Sequence, residues 1–224
     1  MNILIVTTHS DPQSLNARLH NATLSVLQRA EHDITVSELF SQSFNPVAST
    51  LDFNTRSSGS VEYVLEQQRA MNTGSGFSAD IQAEMEKVTA ADLIILNFQA
   101  RMSAIPALLS GWIERVFAMG YAWNEVERYS SGKLSGKRVL CVITSGDPEE
   151  AYRPEGIHNA SLTQHLYGFL HSNLAMTGLD VLKPHIIYNT VSAESGELDL
   201  RINQYMGFIE TIESNQDFIY KHSS

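Results

Sequence analysis

The chain has 224 residues, 43% hydrophobic and 18% charged, with 15 Lys+Arg against 25 Asp+Glu for a formal net charge of −10. That is an ordinary globular mixture, long enough for one well-buried core, and it excludes disorder. The acidic balance repels phosphate backbones, which excludes nucleic acid as a partner, and no apolar run reaches the roughly 20 residues of a membrane helix.

The opening "MNILIVTTHS" (1–10) lacks the basic segment and cleavage site of a secretory leader. A lone Cys141 excludes an intrachain disulfide and a cysteine metal cluster, so a reducing, cytoplasmic setting is expected. "NILIVTT" (2–8) is a continuous β-branched run, the pattern of a strand buried on both faces. Leu15, Leu19, Ala22, Val26 and Ala30 then line one face of a helix. "DITVSEL" (33–39) reads as a second strand, and residues 40–60, rich in Ser, Asn and Thr, as a long irregular excursion. Helical patterns cover roughly 61–71 and 78–90, with Ser78 placed to cap the latter and Asp80 in its first turn.

"ADLIILNF" (91–98) is the third strand. The helix after it carries Ile105, Leu108, Leu109, Trp112, Ile113, Val116 and Phe117, with Pro106 tolerated in its first turn. "KRVLCVIT" (137–144) is the fourth strand, followed by a loop to about 158 and a helix near 160–177. The fifth strand, "LDVLKPHIIY" (179–188), contains Pro184, a sign of an edge or bulge. A final helix is expected over 199–214, then a polar tail. No repeat or composition break divides residues 1–224, so one domain is expected.

Alternating β and α units imply a doubly wound, five-stranded parallel sheet of flavodoxin-like order 2-1-3-4-5, with a C-terminal helical extension. Ligands of such sheets sit outside the strand C-termini, which directs attention to loops 8–15, 97–105 and 144–158.

Several tempting motifs fail. "GKLSGKR" has the wrong spacing for a phosphate loop and precedes a strand. "GSGFSA" (74–79) follows a helical stretch, whereas a dinucleotide fingerprint must follow a strand. His165 and His171 lie six apart on different helix faces, so no metal site is expected. Cys141, in mid-strand, reads as a small buried hydrophobe.

In the first loop, "THSDPQSLNARL", His9 follows the strand and Ser14 stands at the helix start. Two readings fit: an anion site at the helix N-terminus, or a plain cap at Ser14 with a solvated Asn16. In "ITSGDPEEAYRPEGIH", the stretch "TSG" offers a hydroxyl, backbone N–H groups and a bare glycine that suit a flat heterocycle. Tyr152 and His158 follow, either as ligand-facing groups or as a buried anchor and a helix-end residue.

Together, "HSDPQSLNARL", "SELFSQSFNPVAS", "ADLIILNF", "IPALLSGWIERVFAMGYAW", "ITSGDPEEAYRPEGIH" and "GLDVLKPHIIY" resemble the NAD(P)H:quinone oxidoreductase family, flavodoxin-fold enzymes also called quinone reductases or DT-diaphorases. The similarity runs in order from residue 2 to about 205. It implies a homodimer with FAD at the subunit interface and ping-pong transfer of two electrons from NAD(P)H through flavin N5 to a quinone. It places His9, Ser14, Leu15 and Asn16 around the FAD pyrophosphate and adenosine, and Thr144, Ser145 and Gly146 on the flavin pyrimidine ring. Tyr152 and His158 become the pair that stabilises charge on reduced flavin. Arg201 falls near the adenosine end, and Trp123 in the substrate pocket.

The chain departs from the family where Gln99, Ala100, Arg101, Met102 and Ser103 replace a proline and bulky aromatics. Asp147 stands for a usual second glycine and Glu125 for a second pocket tyrosine. The expectation is that backbone N–H groups of Met102 and Ser103 meet flavin N5 and O4, with flavin held more weakly than in typical members. Asp147, if ionised there, would oppose the charge. Arg101 reaches the NADPH phosphates or pairs with an acid in solvent. The alternative function is a flavin-binding regulatory partner of a membrane transport system, as for relatives that accompany potassium-efflux channels. A single-electron FMN carrier would be shorter and lack the 40–75 excursion.

Overall fold

Strand β1, Asn2–Thr7, is buried from Ile3 onward because its β-branched run has no polar face to offer water. The computed structural model, which describes residues 1–55, 62–74 and 76–222, pairs β1 in parallel with β2 (Asp33–Glu38) on one side and β3 (Leu93–Ala100) on the other. Next come β4 (Arg138–Ser145), in register with β3 from Leu93↔Arg138 to Ala100↔Ser145, and then β5 (Asp180–Leu182). The parallel order 2-1-3-4-5 is as expected. The helices are α1 (Leu15–Arg29), α2 (Tyr63–Asn72), α3 (Ala79–Ala90), α4 (Ala107–Val116), α5 (Leu162–His165) and α6 (Ser195–Glu210). Ser78 does stand at the α3 N-cap, but its hydroxyl bonds Asp80 rather than the helix backbone. Residues 56–61, within the expected excursion and at the expected start of α2, and Ser75 of "GSGFSA" lie outside the described residues.

Three expectations need correction. "LDVLKPHIIY" forms two strands, β5 and β6 (His185–Ile187), separated at Lys183–Pro184 and both parallel to β4. Proline cannot donate to a ladder, which is why the break falls there. The 160–177 helix is a short α5, a π-helical turn at Gly168–Leu174 and a 3-10 turn, closed by Gly178 at φ +94°. Finally, the tail is not uniformly polar: Phe218–Tyr220 form β7, which runs antiparallel along β5 and covers its outer edge.

Alternate residues of each strand feed two cores. Leu4, Val6, Ile94, Leu96, Phe98, Cys141 and Ile143 face α3 and α4. Ile3, Ile5, Leu93, Ile95, Leu140 and Val142 face α1 and α6. Each such aliphatic side chain contributes about 1.5–3 kcal/mol by leaving water. Cys141 is wholly buried and its thiol is pushed well above the ordinary range by desolvation, as befits a core residue.

The excursion after β2 is pinned by a buried ion pair. Arg115 of α4 donates Nε and Nη2 to the two oxygens of Asp52 (3.0 and 2.9 Å), and Nη1 to the Asn45 carbonyl (2.7 Å). Tyr63 donates to the same Asp52 at 2.6 Å. Gly111 lets the chain cross α4, since a Cβ there would lie 2.0 Å from the Pro46 carbonyl oxygen. This anchoring holds the excursion against the helix that begins at the candidate site.

Candidate functional site

The carboxyl ends of β1, β3 and β4 are joined by a buried polar node. Asn16, in the first turn of α1, donates Nδ2 to Asn97 Oδ1 (2.7 Å) and accepts from Thr144 Oγ1 (2.6 Å). Asn97 donates back to the Asn16 carbonyl at 2.9 Å. All three residues are at most 5% exposed, so the side chains of Asn16 and Thr144 are committed to the protein. The solvated reading of Asn16 is thereby corrected: the amide is a strut that fixes where α1 starts.

Ser14 caps α1 by accepting from Ala17 N–H (3.2 Å), and Leu15 tucks its side chain toward the core. Asp11, exposed, accepts from Gln13 N–H (2.8 Å). His9 Nδ1 meets Thr7 Oγ1 at 2.6 Å, and its ring lies 5.7 Å from that of buried His20. Burial depresses the proton affinity of both imidazoles, more than neighbouring Glu38 restores it.

The 97–105 stretch is less loop than expected. Strand β3 runs on to Ala100, and Arg101 and Ala104 exchange backbone hydrogen bonds (3.1 and 3.0 Å) across a two-residue turn. At its tip Met102 and Ser103 have φ of 52° and 57°, the left-handed pair of a type I′ turn that usually takes Asn-Gly. Each such residue costs about 1–2 kcal/mol. Met102 is 99% exposed, an apolar side chain held in water. Among the described residues no carboxylate pairs with Arg101, and its Nε donates to Gln99 Oε1 (3.3 Å). Between this hairpin, the first loop and the start of α4 lies a cleft of about 610 Å³, bordered by His9, Ser14, Gln99 and Arg101. Its size and its position beside the N-terminus of α1 suit an anionic dinucleotide.

Beside the hairpin, Tyr152 is 5% exposed, and its hydroxyl sits 3.5 Å from Ser103 Oγ and 3.2 Å from Ser145 Oγ. Ser145 is braced through its carbonyl by Thr190 N–H and Oγ1 (both 3.0 Å). His158 stacks on Tyr152 (centroids 4.3 Å, planes 22° apart) and meets Asp147 Oδ2 at 3.0 Å. Asp147, expected to oppose that charge if ionised, thus has His158 as its side-chain partner. Gly146 lies between Ser145 and Asp147, so loops two and three meet through Ser103, Tyr152 and Ser145.

Other expected members sit elsewhere. Arg201 bonds Glu197 and the Tyr188 carbonyl, lining a separate cleft of about 410 Å³ with Glu149 and Gln204. Trp123 donates to the Phe117 carbonyl (2.9 Å) under the guanidinium of Arg128 and lines a third cleft with Tyr63 and Met176. Glu125 is exposed. Trp123 follows the C-terminus of α4 while the hairpin precedes its N-terminus, so the length of a ten-residue helix, about 15 Å, separates them. Asn97, His20 and the Ser103–Tyr152 contact were not picked out in the sequence, although Asn97 is a polar interruption in "LIILNF". Among the described residues no group of three potential metal ligands occurs, and no helix is long and apolar enough to cross a membrane.

A profile of the flavodoxin-like fold matches residues 1–206. The human ribosyldihydronicotinamide dehydrogenase [quinone] is 32% identical over 212 residues, 94% of this chain and 91% of that protein. The guinea-pig (Cavia porcellus) NAD(P)H dehydrogenase [quinone] 1 is 33% identical, covering 83% of this chain and 67% of its own. A structure described as a putative quinone reductase from Klebsiella pneumoniae superimposes with a TM-score of 0.90 at 30% identity, over 97% of this chain and 86% of the other. A potassium-efflux ancillary protein of Cronobacter sakazakii is similar over only 50% of this chain and 58% of its own.

Proposed function

The chain belongs to the flavodoxin-like quinone dehydrogenases, and we propose that it is an FAD-dependent NAD(P)H:quinone oxidoreductase that works as a homodimer. The observation that carries this reading is the meeting of the second and third loops through Ser103, Tyr152 and Ser145, beside a dinucleotide-sized cleft that the first loop also lines. The partial likeness to the transport ancillary protein does not favour the regulatory alternative.

When bound, flavin supplies the two-electron chemistry, accepting hydride from NAD(P)H and passing it to a quinone in alternating half-reactions. This chain's residues bind and orient. The Ser14-capped start of α1 would hold the diphosphate through its free backbone N–H groups, with His9 beside it. The Met102–Ser103 turn presents backbone N–H groups and one exposed thioether to the ring system. Tyr152, held by two serine hydroxyls, and His158 stabilise negative charge on the pyrimidine side. Arg201 reaches the adenosine end, and Trp123 of the partner's third cleft lines the acceptor pocket.

The test is an absorbance spectrum of protein incubated with FAD or FMN and desalted, with chromatography of the released flavin and NAD(P)H oxidation by a soluble quinone. FAD binding with quinone-dependent turnover is expected; binding of FMN alone overturns the cofactor assignment. Sedimentation giving a 24.9 kDa monomer with flavin bound overturns the dimer.

A further inference from the structure

Asp147 stands in the turn after β4, its backbone carbonyl accepting from Asn189 N–H (2.9 Å) and its Oδ2 lying 3.0 Å from His158 Nε2. A carboxylate has no proton to give, so the hydrogen in that contact is carried by Nε2. The partly exposed ring is held by its neighbours: it lies on Tyr152, and its edge contact with His165 is accompanied by a bond from His165 Nε2 to the His158 carbonyl (3.1 Å). Among the described residues, none hydrogen-bonds Nδ1.

We propose that Asp147 is a positioning residue that locks His158 in the Nε2–H tautomer and leaves Nδ1 as the ring atom offered to a ligand beside Tyr152. The inference rests on the reading of Tyr152 and His158 as a charge-stabilising pair and changes the chemistry of that pair. A glycine in place of Asp147 would leave a neutral imidazole free to donate from either nitrogen. With Asp147 present, neutral His158 offers Nδ1 only as an acceptor. It becomes a donor toward developing negative charge by taking a second proton, the imidazolium being balanced by the carboxylate beside it. Hydride arrival is then coupled to proton uptake at His158, while Tyr152 donates independently of it. The titratable groups facing the ring are Asp147 from the β4 turn, Tyr152 from the following 3-10 turn and His165 of α5, with Tyr188 behind Tyr152; the nearby Glu150 is paired with Arg153.

The test has a spectroscopic arm and a kinetic one. Long-range ¹H–¹⁵N correlation spectra of histidine-labelled protein without flavin should show His158, assigned by its loss in His158→Gln, as the Nε2–H tautomer at neutral pH. Asp147→Gly should redistribute it, and Asp147→Asn, whose amide oxygen still accepts, should restore it. In stopped-flow reduction of bound flavin, the wild-type rate should fall with rising pH by up to about tenfold per unit, the limit for one required proton, and Asp147→Gly should flatten that slope. An unchanged His158 tautomer in Asp147→Gly overturns the proposal whatever the kinetics. A tautomer that shifts while His158→Gln reduces flavin at the wild-type rate supports the positioning role and overturns instead the charge-stabilising reading.

Discussion

Asn16 and Asn97, 81 positions apart, exchange two hydrogen bonds at 2.7 and 2.9 Å and lock the first turn of α1 to the end of β3. Replacing Asn97 by Leu would remove the acceptor of the buried Asn16 Nδ2 and the added donor to the Asn16 carbonyl. An unmet buried group costs about 1–3 kcal/mol, and a loss of that order is expected. A denaturant midpoint within error of wild type would show the node to be dispensable.

The hydroxyl of Tyr152 is the part of that side chain directed between Ser103 and Ser145. Tyr152→Phe keeps the stacking on His158 and removes the donor. Flavin reduction should slow about 10-fold to 100-fold, as should His158→Gln, with flavin affinity changed far less. Wild-type hydride-transfer rates in both would leave the pair with a packing role only.

The hairpin tip separates stability from cofactor retention. Asn-Gly at 102–103 accepts the left-handed backbone without strain and should raise apo-protein stability by about 1–2 kcal/mol. Met102→Trp should instead tighten FAD by widening the stacking surface, with little stability gain. FAD held stoichiometrically by wild type through dialysis, and loosened by the tryptophan, would contradict this account.

His185 packs at tilted angles against the rings of Tyr205 and Phe208, and burial holds its proton affinity below the ordinary 6.5. The unfolded chain binds that proton more readily. The resulting stabilisation is complete above about 6.5 and is lost as pH falls through the lower folded value; His9 and His20 act in the same direction. Unfolding free energy should therefore drop between pH 7 and 5, and His185→Phe should shrink the drop. Equal slopes in both proteins would assign the acid sensitivity elsewhere.

Neutralising Arg201 as Gln removes its bonds to Glu197 and the Tyr188 carbonyl. If the guanidinium serves the adenosine end, titration should show weaker FAD and unchanged FMN binding. Equal losses for both flavins would mark Arg201 as a brace of α6.

Much of the fold was legible because its signals are local. Continuous β-branched runs mark strands β1, β3 and β4, and spacings of three and four mark α1 and α4, so the parallel order and the three carboxyl-end loops follow from neighbouring residues. The resemblance added the residues around a flavin. Pro184 announced a break, yet only packing decided that β5 and β6 would both pair with β4, because either half alone is three residues long. The same brevity hid β7, whose pairing depends on the open edge of β5 rather than on its own sequence. Nothing in "QARMSAIP" suggests a type I′ turn, since neither Met102 nor Ser103 favours positive φ; the Arg101–Ala104 bridge imposes it. Asp147 carried a charge whose sign was plain and whose effect was not, because that effect depends on His158, eleven residues on, being folded back within 3.0 Å. Composition and periodicity are properties of the chain one segment at a time, whereas hydrogen-bond partners are chosen by proximity, and proximity exists only once the sheet has closed.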